Sequence, residues 1–164
     1  MTFASPAFCA TATGTQNVSV SLGAIGKLSV VQPTVGMIHT GQTFASFTGS
    51  VGVKYEVRTT ISTGNATLSV QAASDFSPSN GPSVANGDLT FTCSGASLGS
   101  NCAGTQTMST SIKTVVSVGA GACTGAGCAG SNPNSVTVNL TLTDSPVFKT
   151  GVYSTTLTFS FSAI

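Results

Sequence analysis

His39, Glu56, Asp75, Asp88, Asp144 and five cysteines are the main side chains of this 164-residue chain that could transfer a proton, act as a thiolate or ligate a metal. Triad or general acid–base chemistry would need the lone His39 beside a nucleophile and an orienting carboxylate. The aspartates instead sit in turn-like contexts, Asp88 after Asn86-Gly87 and Asp144 before Ser145-Pro146. Turn aspartates hydrogen-bond their own backbone, so His39 is expected to be non-catalytic. Motifs of the EF-hand, P-loop, HExxH or GxGxxG type are absent. A scattered calcium site built from Asp and loop carbonyls is the weaker alternative. No catalytic, cofactor-binding or metal residue is expected, and the chain does not read as an enzyme.

The cysteines carry a different chemistry. Cys93 and Cys102 bracket Ser-Gly-Ala-Ser-Leu-Gly-Ser-Asn, and Cys123 and Cys128 bracket Thr-Gly-Ala-Gly. Both pairs lie in Gly/Ser-rich sequence without His or Asp nearby, whereas zinc sites favour tighter, matched C-x₂₋₄-C halves. Local disulfides are the first reading; free thiols and a metal site are the alternatives. Each closed loop would stabilise the fold by roughly 2–3 kcal/mol on the chain-entropy model. Disulfides imply an oxidising compartment, so a secreted, cell-surface protein is expected. Cys9 is the odd thiol, a candidate for an intermolecular disulfide or a bystander. Residues 1–10 lack a basic region followed by an apolar run, so they are not a complete signal peptide. The small-residue run around Cys9 resembles the tail of one, and a leader remnant is expected there.

Composition limits the partners. Five Lys and Arg and four Asp and Glu make 5% charge, against about 25% in an ordinary soluble domain. A formal net charge of +1 leaves no electrostatic footprint for nucleic acid. A mean hydropathy of +0.36 argues against disorder. No run approaches the eighteen or so apolar residues of a membrane helix. So weak a surface charge favours self-association, a property suited to building material.

The elements that must position these residues are strands. Phe8, Ala10, Ala12, Gly14, Val18, Val20, Leu22, Ala24, Leu28 and Val30 fall on even positions, with largely Ser, Thr and Asn between. Period two means extended strand with one face buried. Gly23 and Gly26 divide this stretch into an arm and a following strand. Val51, Val53, Tyr55, Val57 and Ile61 alternate with Lys54, Glu56 and Arg58. Further strands are expected at 66–72, from Leu89 through Phe91 to Cys93, less regularly over 108–118, and at Val136, Val138, Leu140 and Leu142. A last strand is expected through Tyr153, Leu157, Phe159, Phe161 and Ala163. Residues 119–133 read as a flexible loop. Capped helical periodicity is absent, and short punctuated strands argue for an all-β sandwich. The expected division is an N-terminal arm, 1–22, and one β-sandwich domain, 23–164.

The arm at 8–22 has the form of an added strand, with main-chain bonds for affinity and alternate side chains for pockets. Small Ala10, Ala12 and Gly14 suit a tight groove, and Val18, Val20 and Leu22 could each give roughly 1.5–3 kcal/mol on full burial. The equal alternative is an ordinary first strand within its own domain.

The segment Gly151-Val-Tyr153-Ser-Thr-Thr-Leu157-Thr-Phe159-Ser-Phe161 resembles the last strand of spore-coat-U-type and chaperone–usher pilin domains, which end in Gly-x-Tyr and alternating apolar residues. The N-terminal arm is similar to their donor strand. The resemblance covers the two chain ends. It implies an immunoglobulin-like sandwich lacking its final strand, completed by the arm of the next subunit. Phe8, Ala10, Ala12, Gly14, Val18, Val20 and Leu22 would then be the donor residues. The implied partners are copies of this chain, with an assembly chaperone and usher. The expected function is a structural subunit of an extracellular filament or pilus. The alternative is a secreted adhesin or binding module, disfavoured by the lack of Trp and by Tyr55 and Tyr153 falling at core positions of their strands.

Overall fold

The computed structural model describes residues 16–39, 41, 43–58, 64–120, 122 and 133–164. In chain order the strands are β1 (Ile25–Val30), β2 (Ile38–His39), β3 (Phe47–Arg58), β4 (Ala66–Ala72), β5 (Leu89–Ser94), β6 (Ser100–Asn101), β7 (Gln106–Thr107), β8 (Lys113–Val118), β9 (Asn134–Leu142) and β10 (Leu157–Ala163). No helix occurs among the described residues. One sheet has the order β1-β3-β9-β5-β7, with β2 beside β3; the other has the order β10-β4-β8-β6. Every pairing is antiparallel.

The two sheets share one core because their alternations are in phase. On β3, Val51, Val53, Tyr55 and Val57 are buried while Lys54 and Arg58 are exposed. The register sets Val53 opposite Val136 and Val51 opposite Val138, so apolar residues meet across the ladder. Phe91 from β5 and Leu68 and Val70 from β4 join them, each contributing roughly 1.5–3 kcal/mol by burial. The outward faces are Thr and Ser with few charges. Their one ion pair among the described residues, Lys27 Nζ to Glu56 Oε1 at 3.4 Å, is exposed and worth about 0–1 kcal/mol.

The irregular stretch at 108–118 does not form one element. The Met108 amide, following β7, donates to the Leu89 carbonyl of β5 in the first sheet, whereas Lys113–Val118 crosses to the second. A register shift between Leu68 and Ser69 then inserts one extra residue on β8. A bulge of this kind lets two successive residues face the core, and Val115 and Val116 are both fully buried. That breaks the period of two.

Tyr55 ties the first cysteine loop to the core. Its hydroxyl donates to the Leu98 carbonyl, while Ser97 Oγ donates to Asn134 Oδ1 and accepts from the Ser135 amide. Burial pushes the Tyr55 phenol above its ordinary value of 10.0. Above about pH 10 the unfolded chain therefore loses this proton before the folded one does, and stability falls with rising pH. Urea midpoints measured from pH 8 to 11.5 are expected to drop through that window. Tyr55→Phe should flatten part of the slope while lowering stability at pH 8 by about 1 kcal/mol, the net worth of one hydrogen bond.

Candidate functional site: the open edge of the second sheet

A strand at the margin of a sheet exposes unpaired backbone groups, and proteins blunt such edges with short strands, charges, proline or bulges. Three margins of this fold follow that rule. β6 and β7 are two-residue stubs. β1, with two-residue β2 beyond it on the same side of β3, carries Lys27 paired to Glu56. β10 does not follow the rule. It is seven residues long, has no charge or proline, and pairs with β4 in unbroken register. No other strand among the described residues pairs with it.

The parity of that ladder decides what β10 offers. The Ala73 amide donates to the Thr156 carbonyl at 2.8 Å, and the Ile164 amide to the Asn65 carbonyl at 2.9 Å. In an antiparallel ladder the hydrogen-bonded pairs recur at every second residue, so they fall at Thr158, Ser160 and Ser162. Leu157, Phe159, Phe161 and Ala163 therefore turn their own N–H and C=O groups to the open side. The same four residues point their side chains at the core, yet remain only half-buried. Backbone donors, acceptors and a partly uncovered apolar row thus coincide on one edge.

Across the gap stands β1, with Leu28 half-buried and Val30 still 38% exposed. Gly26 lies against the Phe161 ring, and that ring makes a tilted contact with Tyr55 at 5.5 Å between centroids. The two sheets touch through this cluster on their open side.

The preceding segment differs from the expectation of a half-buried strand. Residues 16–24 form no ladder, and Val18, Val20 and Leu22 are 88%, 81% and 68% exposed. Pairing of β1 with β3 starts at Ile25 opposite Arg58, and the Arg58 Nε donates to the Gly23 carbonyl at 2.9 Å. That bond holds the root of the arm. The donor candidates Phe8, Ala10, Ala12 and Gly14, and Cys9, lie outside the described residues.

Cys93 and Cys102 are joined in a disulfide, which removes the free-thiol and metal readings of that pair. Cys123 and Cys128 lie outside the described residues. Tyr153 does not belong to the last strand, which starts at Leu157. Its hydroxyl donates to the Lys149 carbonyl at 2.6 Å, its ring packs near Gly81 and Gly151, and Ser154 bridges to Ser77. The Gly-x-Tyr motif pins two loops beside the start of β10 and is not part of its apolar row.

His39, on β2, packs edge-on against Phe47 at 5.0 Å between ring centroids. Asp75 accepts from the Ser83 hydroxyl and from the Phe76 and Val84 amides, while Asp88 accepts from the Ser83 amide. The Ser83 hydroxyl, followed by these amides, holds the Asp75 carboxyl below its ordinary value. A depression of about 510 Å³ lies beside it, bounded by Val84, Asn86, Thr107 and Thr110. The Asp75 oxygens there are already engaged in fixing the 74–88 turn. Among the described residues no three His, Cys, Asp or Glu side chains gather in a group able to hold a metal ion. No helix among them is long and apolar enough to cross a membrane. Comparison with protein-family models, with curated proteins and with solved structures finds no match to this chain.

Proposed function

We propose that this chain is a structural subunit of an extracellular filament, polymerising when the N-terminal arm of one copy adds as a strand to β10 of the next. One observation carries the reading: the only long, unblunted edge among the described strands also presents a half-covered apolar row. An arm with the right alternation projects from the same fold, its apolar residues in solvent. Strand addition would satisfy the edge amides and carbonyls and bury Val18, Val20 and Leu22, each worth roughly 1.5–3 kcal/mol.

The strand order supports the finer architecture. In an immunoglobulin-type sandwich, A-B-E-D faces C-F-G. Here β1-β3-β9-β5 matches the first sheet, and β4 and β10 match C and F. The G position beside β10 has no strand of this chain among the described residues. β8 is an addition on the far side of β4. An immunoglobulin-like sandwich short of one strand, of the spore-coat-U and chaperone–usher pilin kind, accounts for this order. On this reading the Cys93–Cys102 disulfide fits a secreted, cell-surface location, the partners are further copies with an assembly chaperone, and the chain has no enzymatic role.

Electron microscopy of the full chain, with gels of unheated and boiled samples in SDS, tests the proposal. Regular fibres and a ladder that collapses on boiling are expected, because an all-β, non-local interface unfolds slowly. A dispersed monomer at every concentration would overturn it.

A further inference from the structure

We propose that Phe161 is a gate on the β10 edge, holding the two sheets together in the isolated subunit and regulating when an arm can be taken up; this rests on the function proposed above. The argument starts from Gly26. A side chain there would place its Cβ 2.6 Å from Cδ1 and 3.1 Å from Cε1 of Phe161, so the ring occupies the space that any other residue would fill. Gly26 is paired with Val57, and its neighbour Leu28 with Tyr55. The Phe161 ring is thus seated on the β1 backbone and against Tyr55. Tyr55 is itself fixed by the Leu98 carbonyl.

A strand adding to β10 must send every second side chain into the space between β10 and β1. At the level of Phe161 that space is closed by the ring on Gly26. Leu157, Phe159 and Phe161 are all half-buried, and it is Phe161 whose ring meets Gly26 and Tyr55 of the first sheet. The seat of Phe161 on Gly26 and against Tyr55 is therefore a fixed point between β10 and the first sheet. Uptake of an arm over the whole edge requires β1 and β10 to part at this contact. The closed contact also covers part of the apolar row, which limits the random edge pairing that a bare strand invites.

The full-length chain tests this with two variants that open the contact from opposite sides. Phe161→Ala removes the ring, and Gly26→Ala displaces it. The probe is a fluorescent synthetic peptide of residues 8–22, and the readout is the rate at which label enters a complex that survives SDS without heating. Both variants are expected to take up peptide about tenfold faster than the parent, the factor given by a barrier lower by ~1.4 kcal/mol. Circular dichroism on the same samples checks that each variant is folded; Phe161→Leu, which keeps an apolar filler, is the replacement if Phe161→Ala is not. If the parent captures peptide and the folded variants capture it no faster, the gate is refuted and β10 remains an acceptor. If neither parent nor variants capture peptide, the acceptor edge and its gate are refuted together.

Discussion

A chain lacking residues 1–22 is expected to fold to the same sandwich and to form no filaments. Val18, Val20 and Leu22 are 88%, 81% and 68% exposed, so their removal takes little buried area from the subunit. The Arg58–Gly23 bond that roots the arm is retained. Thermal melts of the truncated chain should therefore lie within a few degrees of the parent monomer, a shift of under about 1 kcal/mol. Sedimentation should show a single monomeric species under conditions where the full chain is expected to polymerise. The effect on assembly is all or none, because each junction loses its entire apolar strand. The truncated chain keeps β10, so it should cap growing filaments of the full chain and shorten them when added in equal amount. Filaments from the truncated chain would return the arm to a passive role.

Gly99→Ala is expected to be among the most damaging single methyls in the described part of the chain. Gly99 has φ +87, in a region that side chains avoid, and an added Cβ would lie 2.5 Å from the Ser117 carbonyl oxygen and 2.9 Å from Val116 Cγ1. The oxygen is backbone of β8, which pairs with β4 on one side and with Ser100–Asn101 on the other, so it has little freedom to yield. Strain of this kind costs of order 1–3 kcal/mol before the collision is counted. A loss of about 2–4 kcal/mol in urea unfolding is expected, within the range of severe point mutations. The Cys93–Cys102 disulfide spans the same loop. Reducing it should remove roughly 2–3 kcal/mol from the parent on the chain-entropy model. The loss should be smaller in Gly99→Ala, where the loop has already been displaced from β8. Equal losses in both chains would mean that the loop contributes only through its covalent closure.

Strand identity was legible wherever one face of a regular strand meets the core. The alternations at 51–57, 66–72, 89–93 and 136–142 reappear as β3, β4, β5 and β9, because a period of two, once one face is buried, admits a single backbone state. Legibility failed where neighbours set the outcome. β2 and β6 are two residues long, and polar Ser100 and Asn101 become a strand only because β8 lies alongside. The bulge that buries both Val115 and Val116 is a property of the β4–β8 pair, and no reading of either strand alone contains it. Tyr153 was in phase with Leu157, Phe159 and Phe161, yet phase does not say where a ladder starts. The Ser77–Ser154 bridge and the Lys149 carbonyl hold Tyr153 outside β10.

Local sequence alone therefore determined an all-β chain with a scarcity of charge, turn-forming aspartates and an apolar alternation at both ends. These are consequences of side-chain chemistry and spacing, which act over a few residues. Only the tertiary structure decided which of the longer described strands lies at a sheet edge. Edge position is set by the order in which distant segments pair: β10 beside β4, β4 beside β8, and β1 on the same open side in the other sheet. That order depends on contacts between residues far apart in the chain. It also seats Phe161 on Gly26, two residues 135 positions apart in the sequence, and so leaves an ordinary-looking last strand at the edge of its sheet among the described strands.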